Sequence, residues 1–127
     1  MILLLDSSVI IDVLRGRNDR RRKLANLIER GYFPATSSLN IAEIYAGVRT
    51  GEERRTTAFL DSLRCYPVTK SIARLAGNLK AQWSAKGQTL TLDDMMVAAT
   101  AVEHNLPLVT DNRKHFPVDG LRFHPLH

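Results

Sequence analysis

The 127-residue sequence has a single cysteine, Cys65. No internal disulfide can form, and one thiol cannot build a cysteine-rich zinc site. No stretch approaches the ~20 consecutive apolar residues that a membrane-spanning helix needs. The opening run Met1–Leu5 is too short for a signal-peptide core, and Asp6 ends it at once. Ser7 and Ser8 lack the glycine-flanked elbow of a serine hydrolase. No pair of histidines stands at metal-ligand spacing. Internal repeats, low-complexity tracts and linkers are absent as well. These absences lead to the expectation of one cytoplasmic domain, residues 1–127, long enough to bury a continuous core without covalent or metal staples.

What is present begins with charge. Eighteen Lys and Arg against thirteen Asp and Glu give a net charge of +5. A basic surface steers polyanions inward, without distinguishing RNA, DNA or an acidic protein. Six of the basic residues (Arg15, Arg17, Arg20, Arg21, Arg22 and Lys23) crowd into nine positions. Such a run is either a solvated helix face or a phosphate-binding stripe, for which the planar fork of arginine is suited. Arg49, Arg54, Arg55, Arg113 and Lys114 are further candidates for a basic rim.

Hydrophobic patterning predicts alternating strands and helices. Ile2–Leu5 is a continuous apolar run, as in a buried parallel strand. Helices are predicted over 8–15, stopped by Gly16, and over 20–29, closed by Gly31. Further helices are predicted over 40–48, 52–63, 71–86 and 93–104. Strands are predicted over 32–36, 65–68 and 106–110, with a short edge strand over 121–123. Cys65 reads as a small core residue and Trp83 as a helix-packing one; His104 and His115 read as surface or capping groups. The repeating β-α order predicts an α/β domain of three layers, α/β/α, around a mostly parallel sheet.

In such sheets ligands bind at the carboxyl ends of the strands. Asp6 follows the first predicted strand, and Asp111 and Asn112 follow the fourth. Glu43 lies near the start of the helix after the second, and Asp93 and Asp94 open the alanine-rich helix. Clustered carboxylates repel one another unless a cation neutralises them. Mg²⁺ or Mn²⁺ does so through oxygen ligands, and can activate a water for phosphodiester hydrolysis with no amino-acid nucleophile. Each acid also has a structural alternative. Asn40 with Glu43 and Thr91 with Asp94 match helix capping boxes, and Asp6 can cap the helix that follows it.

The segments LLDSSVIIDVLRG, SSLNIAEIYAGV and LDDMMVAATAVEHNLPLVTDNRKHF, in that order, resemble the PIN-domain family and within it the VapC-type toxin ribonucleases. The resemblance runs from Ile2 to about Phe123. It implies a PIN-like fold and a Mg²⁺- or Mn²⁺-dependent endoribonuclease acting on RNA. It further implies the toxin of a type II toxin–antitoxin pair, neutralised by a cognate antitoxin protein, and a homodimer. Its acids fall on Asp6, Glu43 and Asp94, as catalytic residues and metal ligands; Asp94 is chosen because it stands three residues before Val97. The fourth metal ligand falls on Asn112, where many relatives carry Asp; Asp111 is its alternative. Asp93 is placed as a cap or supporting group, and Ser7 and Thr110 as hydroxyls that orient the carboxylates. The competing reading is a PIN-like module that grips RNA or a partner without cutting. A receiver domain is disfavoured by Thr36–Ser38 where its acceptor Asp would stand, and a haloacid-type phosphatase by Ser8 where it needs a second Asp.

Overall fold

In the first strand of the computed structural model, which describes residues 1–126, successive leucines point to opposite faces of a sheet. This strand, β1 (Ile2–Leu5), sends Leu4 into one apolar cluster and Leu3 and Leu5 into another. That double burial is why the run is apolar throughout rather than alternating. The chain continues through α1 (Ser7–Arg15), α2 (Arg20–Glu29), β2 (Phe33–Ser37) and α3 (Ser38–Ala46). It then forms α4 (Glu53–Ser62), β3 (Arg64–Tyr66), α5 (Lys70–Ala85), α6 (Leu92–Glu103) and β4 (Leu108–Val109), followed by a 3₁₀ turn at Arg113–His115.

The sheet order is β3-β2-β1-β4, and every pairing is parallel. Leu4 stands opposite Ala35 on one side and Leu108 on the other, so β1 is an inner strand. Ile72 and Ala76 of α5 and Met95, Ala98 and Ala101 of α6 cover one face with Leu4. Val9, Ile10 and Val13 of α1, Leu24 and Leu27 of α2 and Leu60 of α4 cover the other with Leu3 and Leu5. This is the expected three-layer α/β/α arrangement. No helix among the described residues is long and apolar enough to cross a membrane.

Several boundaries differ from the sequence pattern, each for a local reason. Helix α3 starts at Ser38, two residues before Asn40, because β2 runs into it without a loop. Ser37 ends the strand and caps the helix, its Oγ accepting from the Asn40 N–H at 3.2 Å. The helix stops at Gly47 rather than continuing to Val48. Gly16, by contrast, ends α1 as expected, with φ +66°, a left-handed conformation that favours glycine. The predicted edge strand over 121–123 is reduced to one parallel bridge between Phe123 and Leu108. Cys65 is exposed and is not a core residue. On β3 only Tyr66 is buried; Arg64 shares its face and lies over its ring, while Cys65 alternates to the other face, which this edge strand leaves exposed.

Candidate active site

Because the sheet is wholly parallel, all its strands end on one rim, and the exits of β1, β2 and β4, together with the N-terminus of α6, supply the candidate groups. Asp6, 8 % exposed, follows β1 as the N-cap of α1. Its two oxygens are held separately: Oδ1 accepts from the Ser7 N–H at 2.9 Å, and Oδ2 accepts from the Thr110 hydroxyl at 2.8 Å. Burial raises its carboxyl above the ordinary range against the pull of those two hydrogen bonds, and the charges of Asp94 and Asp111 raise it further.

Glu43 belongs to the second turn of α3, too far along to cap it, so the capping-box alternative is removed. Its Oε1 instead accepts from the Ser7 hydroxyl at 2.8 Å. That hydroxyl accepts from Asn40 Nδ2 at 2.8 Å, and Asn40 Oδ1 accepts from the Ser37 hydroxyl at 2.6 Å. Ser37, Asn40 and Ser7 thus form a relay in which each donates toward the carboxylate. Asn40 is fully buried and connects β2 to the Glu43 side chain through hydrogen bonds alone. Burial raises the Glu43 carboxyl although Ser7 stabilises its charge, and Asp93, Asp6 and Asp94 add to the rise. The fold thus sets Asp6, Glu43, Asp93 and Asp94 close enough together for neighbouring charges to raise the Asp6 and Glu43 carboxyls.

Thr91 caps α6, its hydroxyl accepting from the Asp94 N–H at 3.2 Å. Among the described residues no hydrogen bond returns from the Asp94 carboxylate to the cap, so only half of a capping box forms. Asp94 Oδ2 instead lies 3.7 Å from His115 Nδ1. His115 is exposed, as expected of a surface group, and also stands beside a candidate ligand; nothing in the linear spacing shows this neighbourhood, because the 3₁₀ turn after β4 carries it there. His104 also matches its expectation, capping α6 with its ring 4.5 Å from that of Tyr66.

At the exit of β4, the Asn112 N–H donates to the Thr110 hydroxyl at 3.1 Å. Asp111 is ion-paired with Arg20. That pair belongs to a wider correction, because most of the basic run is spent on architecture. Arg15 pairs with Glu52 at 3.3 Å, and Arg22 pairs with Asp19. Arg21 donates to the Val13 and Leu14 carbonyls, both at 2.7 Å, tying down the end of α1. Arg20 is 7 % exposed. Among the described residues only Arg17 and Lys23 of the six form no side-chain hydrogen bond or ion pair, so the run is not a continuous phosphate stripe.

The donor set is carboxylate and amide oxygen, which fits a hard divalent cation rather than zinc or copper. Among the described residues no three carboxylate, imidazole or thiolate groups converge into a complete ligand cage. Magnesium sites in proteins typically use one or two carboxylates and retain several waters. The raised carboxyls also predict a measurable pH effect without metal. As pH rises through the ordinary carboxylate range toward the raised values, the unfolded chain ionises first, the native state holds more protons, and stability falls. Thermal unfolding in chelator should show wild type losing stability relative to Asp6→Asn over that interval, and added Mg²⁺ or Mn²⁺ should recover it. A difference independent of pH would refute the strained-carboxylate account.

Residues 3–121 match the PIN domain family. Ribonuclease VapC10 of Mycobacterium tuberculosis is 37% identical over 117 residues, covering 92% of this chain and 87% of its own. Ribonuclease VapC19 of the same organism is 35% identical over 115 residues, covering 91% and 92%. A toxin-antitoxin complex from Klebsiella pneumoniae superposes with a TM-score of 0.74 at 27% identity, covering 94% of both chains. VapBC2 from Rickettsia felis, solved bound to a promoter DNA fragment, gives a TM-score of 0.84 with full coverage of both chains at 22% identity, a likeness of fold.

Proposed function

The chain belongs to the PIN-domain family, and from that premise we propose that it is a divalent-metal-dependent endoribonuclease, the toxin of a type II toxin–antitoxin pair. The observation that carries the reading is Asp6, a carboxylate raised by burial and further by neighbouring acids yet oriented at both oxygens. The ribonuclease names of relatives that match over most of their length support the activity. Solved toxin-antitoxin complexes support an antitoxin partner. A homodimer in the cytoplasm completes the proposal.

Asp6, Glu43, Asp94 and Asn112 would hold Mg²⁺ or Mn²⁺. When bound there, the cation supplies Lewis acidity to a water and to the phosphodiester. Thr110 and the Ser7 N–H keep the Asp6 oxygens aimed, sparing the reaction that reorganisation. Ser7 fixes Glu43 through Oε1, leaving Oε2 to accept the proton of the attacking water. The water oxygen bonds to phosphorus as one ester P–O bond breaks, and the departing ester oxygen takes a proton from solvent and leaves as a hydroxyl.

Purified chain should cleave labelled RNA only with Mg²⁺ or Mn²⁺ present, with Asp94→Asn at least about tenfold slower. Metal-independent cleavage shared by the variant would mean a contaminant. RNA binding without cleavage would favour a non-catalytic module, an alternative that the uncharged Asn112 keeps in play.

A further inference from the structure

Two neighbouring side chains at the exit of β4, Asp111 and Asn112, are the candidates for the fourth corner of the proposed cation site. On charge alone Asp111 should win, since a carboxylate attracts a divalent ion and an amide only solvates it. The structure gives Asp111 another occupation. Its Oδ1 accepts from Arg20 Nη2, and the same guanidinium donates through Nη1 to the Leu126 carbonyl at 2.6 Å. Arg20 Nε, buried and without a hydrogen-bond acceptor, lies 3.7 Å from Asp12 Oδ2. Asp12 is in turn held by Asn18 Nδ2 at 2.8 Å. One buried cation from α2 therefore joins α1, the loop after β4 and the C-terminal tail.

A guanidinium this buried is costly unless carboxylates surround it, so the pairing with Asp111 is not easily exchanged for water. The residue before Asp111 is pinned the opposite way, with Thr110 donating to Asp6 and accepting from the Asn112 N–H. The loop is fixed from both sides, Asp111 toward Arg20 and Thr110 toward Asp6.

We propose that Arg20 is a positioning residue that withholds Asp111 from the cation and so selects the neutral Asn112 at this corner, setting the net charge of the site. The proposal rests on the metal reading given above. Arg20→Gln frees a carboxylate that joins the site, binds the ion more tightly and competes with phosphate for it. Calorimetric titration with Mn²⁺ should show affinity raised about fivefold or more, the size expected for one added charge at a few ångströms in a partly solvated site. RNA cleavage should fall in the same variant. Adding Asp111→Asn to Arg20→Gln should return Mn²⁺ affinity to the wild-type value, a rescue that general damage to the fold would not show.

Asp111→Asn alone can still overturn the proposal where Arg20→Gln does not fold, because asparagine still accepts from Arg20. It should leave Mn²⁺ affinity unchanged, whereas Asp6→Asn lowers it by about ten- to a hundredfold or more. If Asp111→Asn weakens Mn²⁺ as Asp6→Asn does, Asp111 is a ligand and the proposal is overturned with the cation site intact. If Arg20→Gln folds and leaves affinity unchanged, the withholding role is likewise overturned. If wild type binds no Mn²⁺, the cation site falls and the role of Arg20 falls with it.

Discussion

Asp6→Asn is expected to slow metal-dependent RNA cleavage by at least about a hundredfold, beyond what loss of a mere supporting partner costs a metal site. The same change should leave the metal-free protein at least as heat-stable as wild type. The two effects have one origin. Asn keeps the shape of Asp, can accept from the Ser7 N–H through Oδ1, and so keeps the cap of α1. It removes a buried charge whose carboxyl is raised first by desolvation and further by Asp94 and Asp111. On the proposed reading, the cost that the native fold tolerates at Asp6 is recovered when a cation binds. Cleavage rates with Mg²⁺ or Mn²⁺, and melting curves in chelator, test both halves. Retained cleavage would remove Asp6 from the site; a large drop in melting temperature would make it a structural residue instead.

The largest effect on stability is expected from Leu4→Ala, a loss of about 2–5 kcal/mol. Leu4 is fully buried in β1, between Ala35 and Leu108 in register, and shares its cluster with Ile72, Met95 and Ala98. The strand is hydrogen-bonded on both sides, so the backbone has little freedom to collapse into the void. Against a typical total of roughly 5–15 kcal/mol, that loss leaves a marginal fold. Denaturant unfolding should show a lower midpoint with an unchanged slope. The fraction still folded should cleave RNA normally, because Asp6 is mounted by hydrogen bonds from Ser7 and Thr110 rather than by the Leu4 side chain. A loss below about 1 kcal/mol would mean that α5 and α6 close over the gap.

The sequence was informative wherever a pattern is local. The bounds of β1 and α2 agree with the structure, because an uninterrupted apolar run and a 3.6-residue periodicity are properties of the segment itself. The three-layer order followed from alternation of such segments. Legibility failed where a residue's role depends on what faces it. Cys65 is apolar enough for a core, but an edge strand presents it to solvent. The start of α3 was misplaced because Ser37 serves two elements at once, ending β2 and capping the helix.

The candidate site divides along the same line. The sequence by itself singled out the candidate oxygen-bearing groups: Asp6 and the pair Asp111–Asn112 after strands, Glu43 in the helix after β2 and Asp94 at the start of α6. Only the tertiary structure decided how they are held. Asn40 reaches Ser7 across 33 positions, Thr110 reaches Asp6 across 104, and Arg20 reaches Asp111 across 91. A hydrogen bond or ion pair across such separations leaves no periodic trace in the chain, since it depends on three-dimensional proximity and not on spacing. For the same reason the dense arginine run, conspicuous as sequence, is largely engaged within the molecule although only Arg20 is buried: several of its guanidiniums find carboxylates and helix-end carbonyls that only the fold brings within reach.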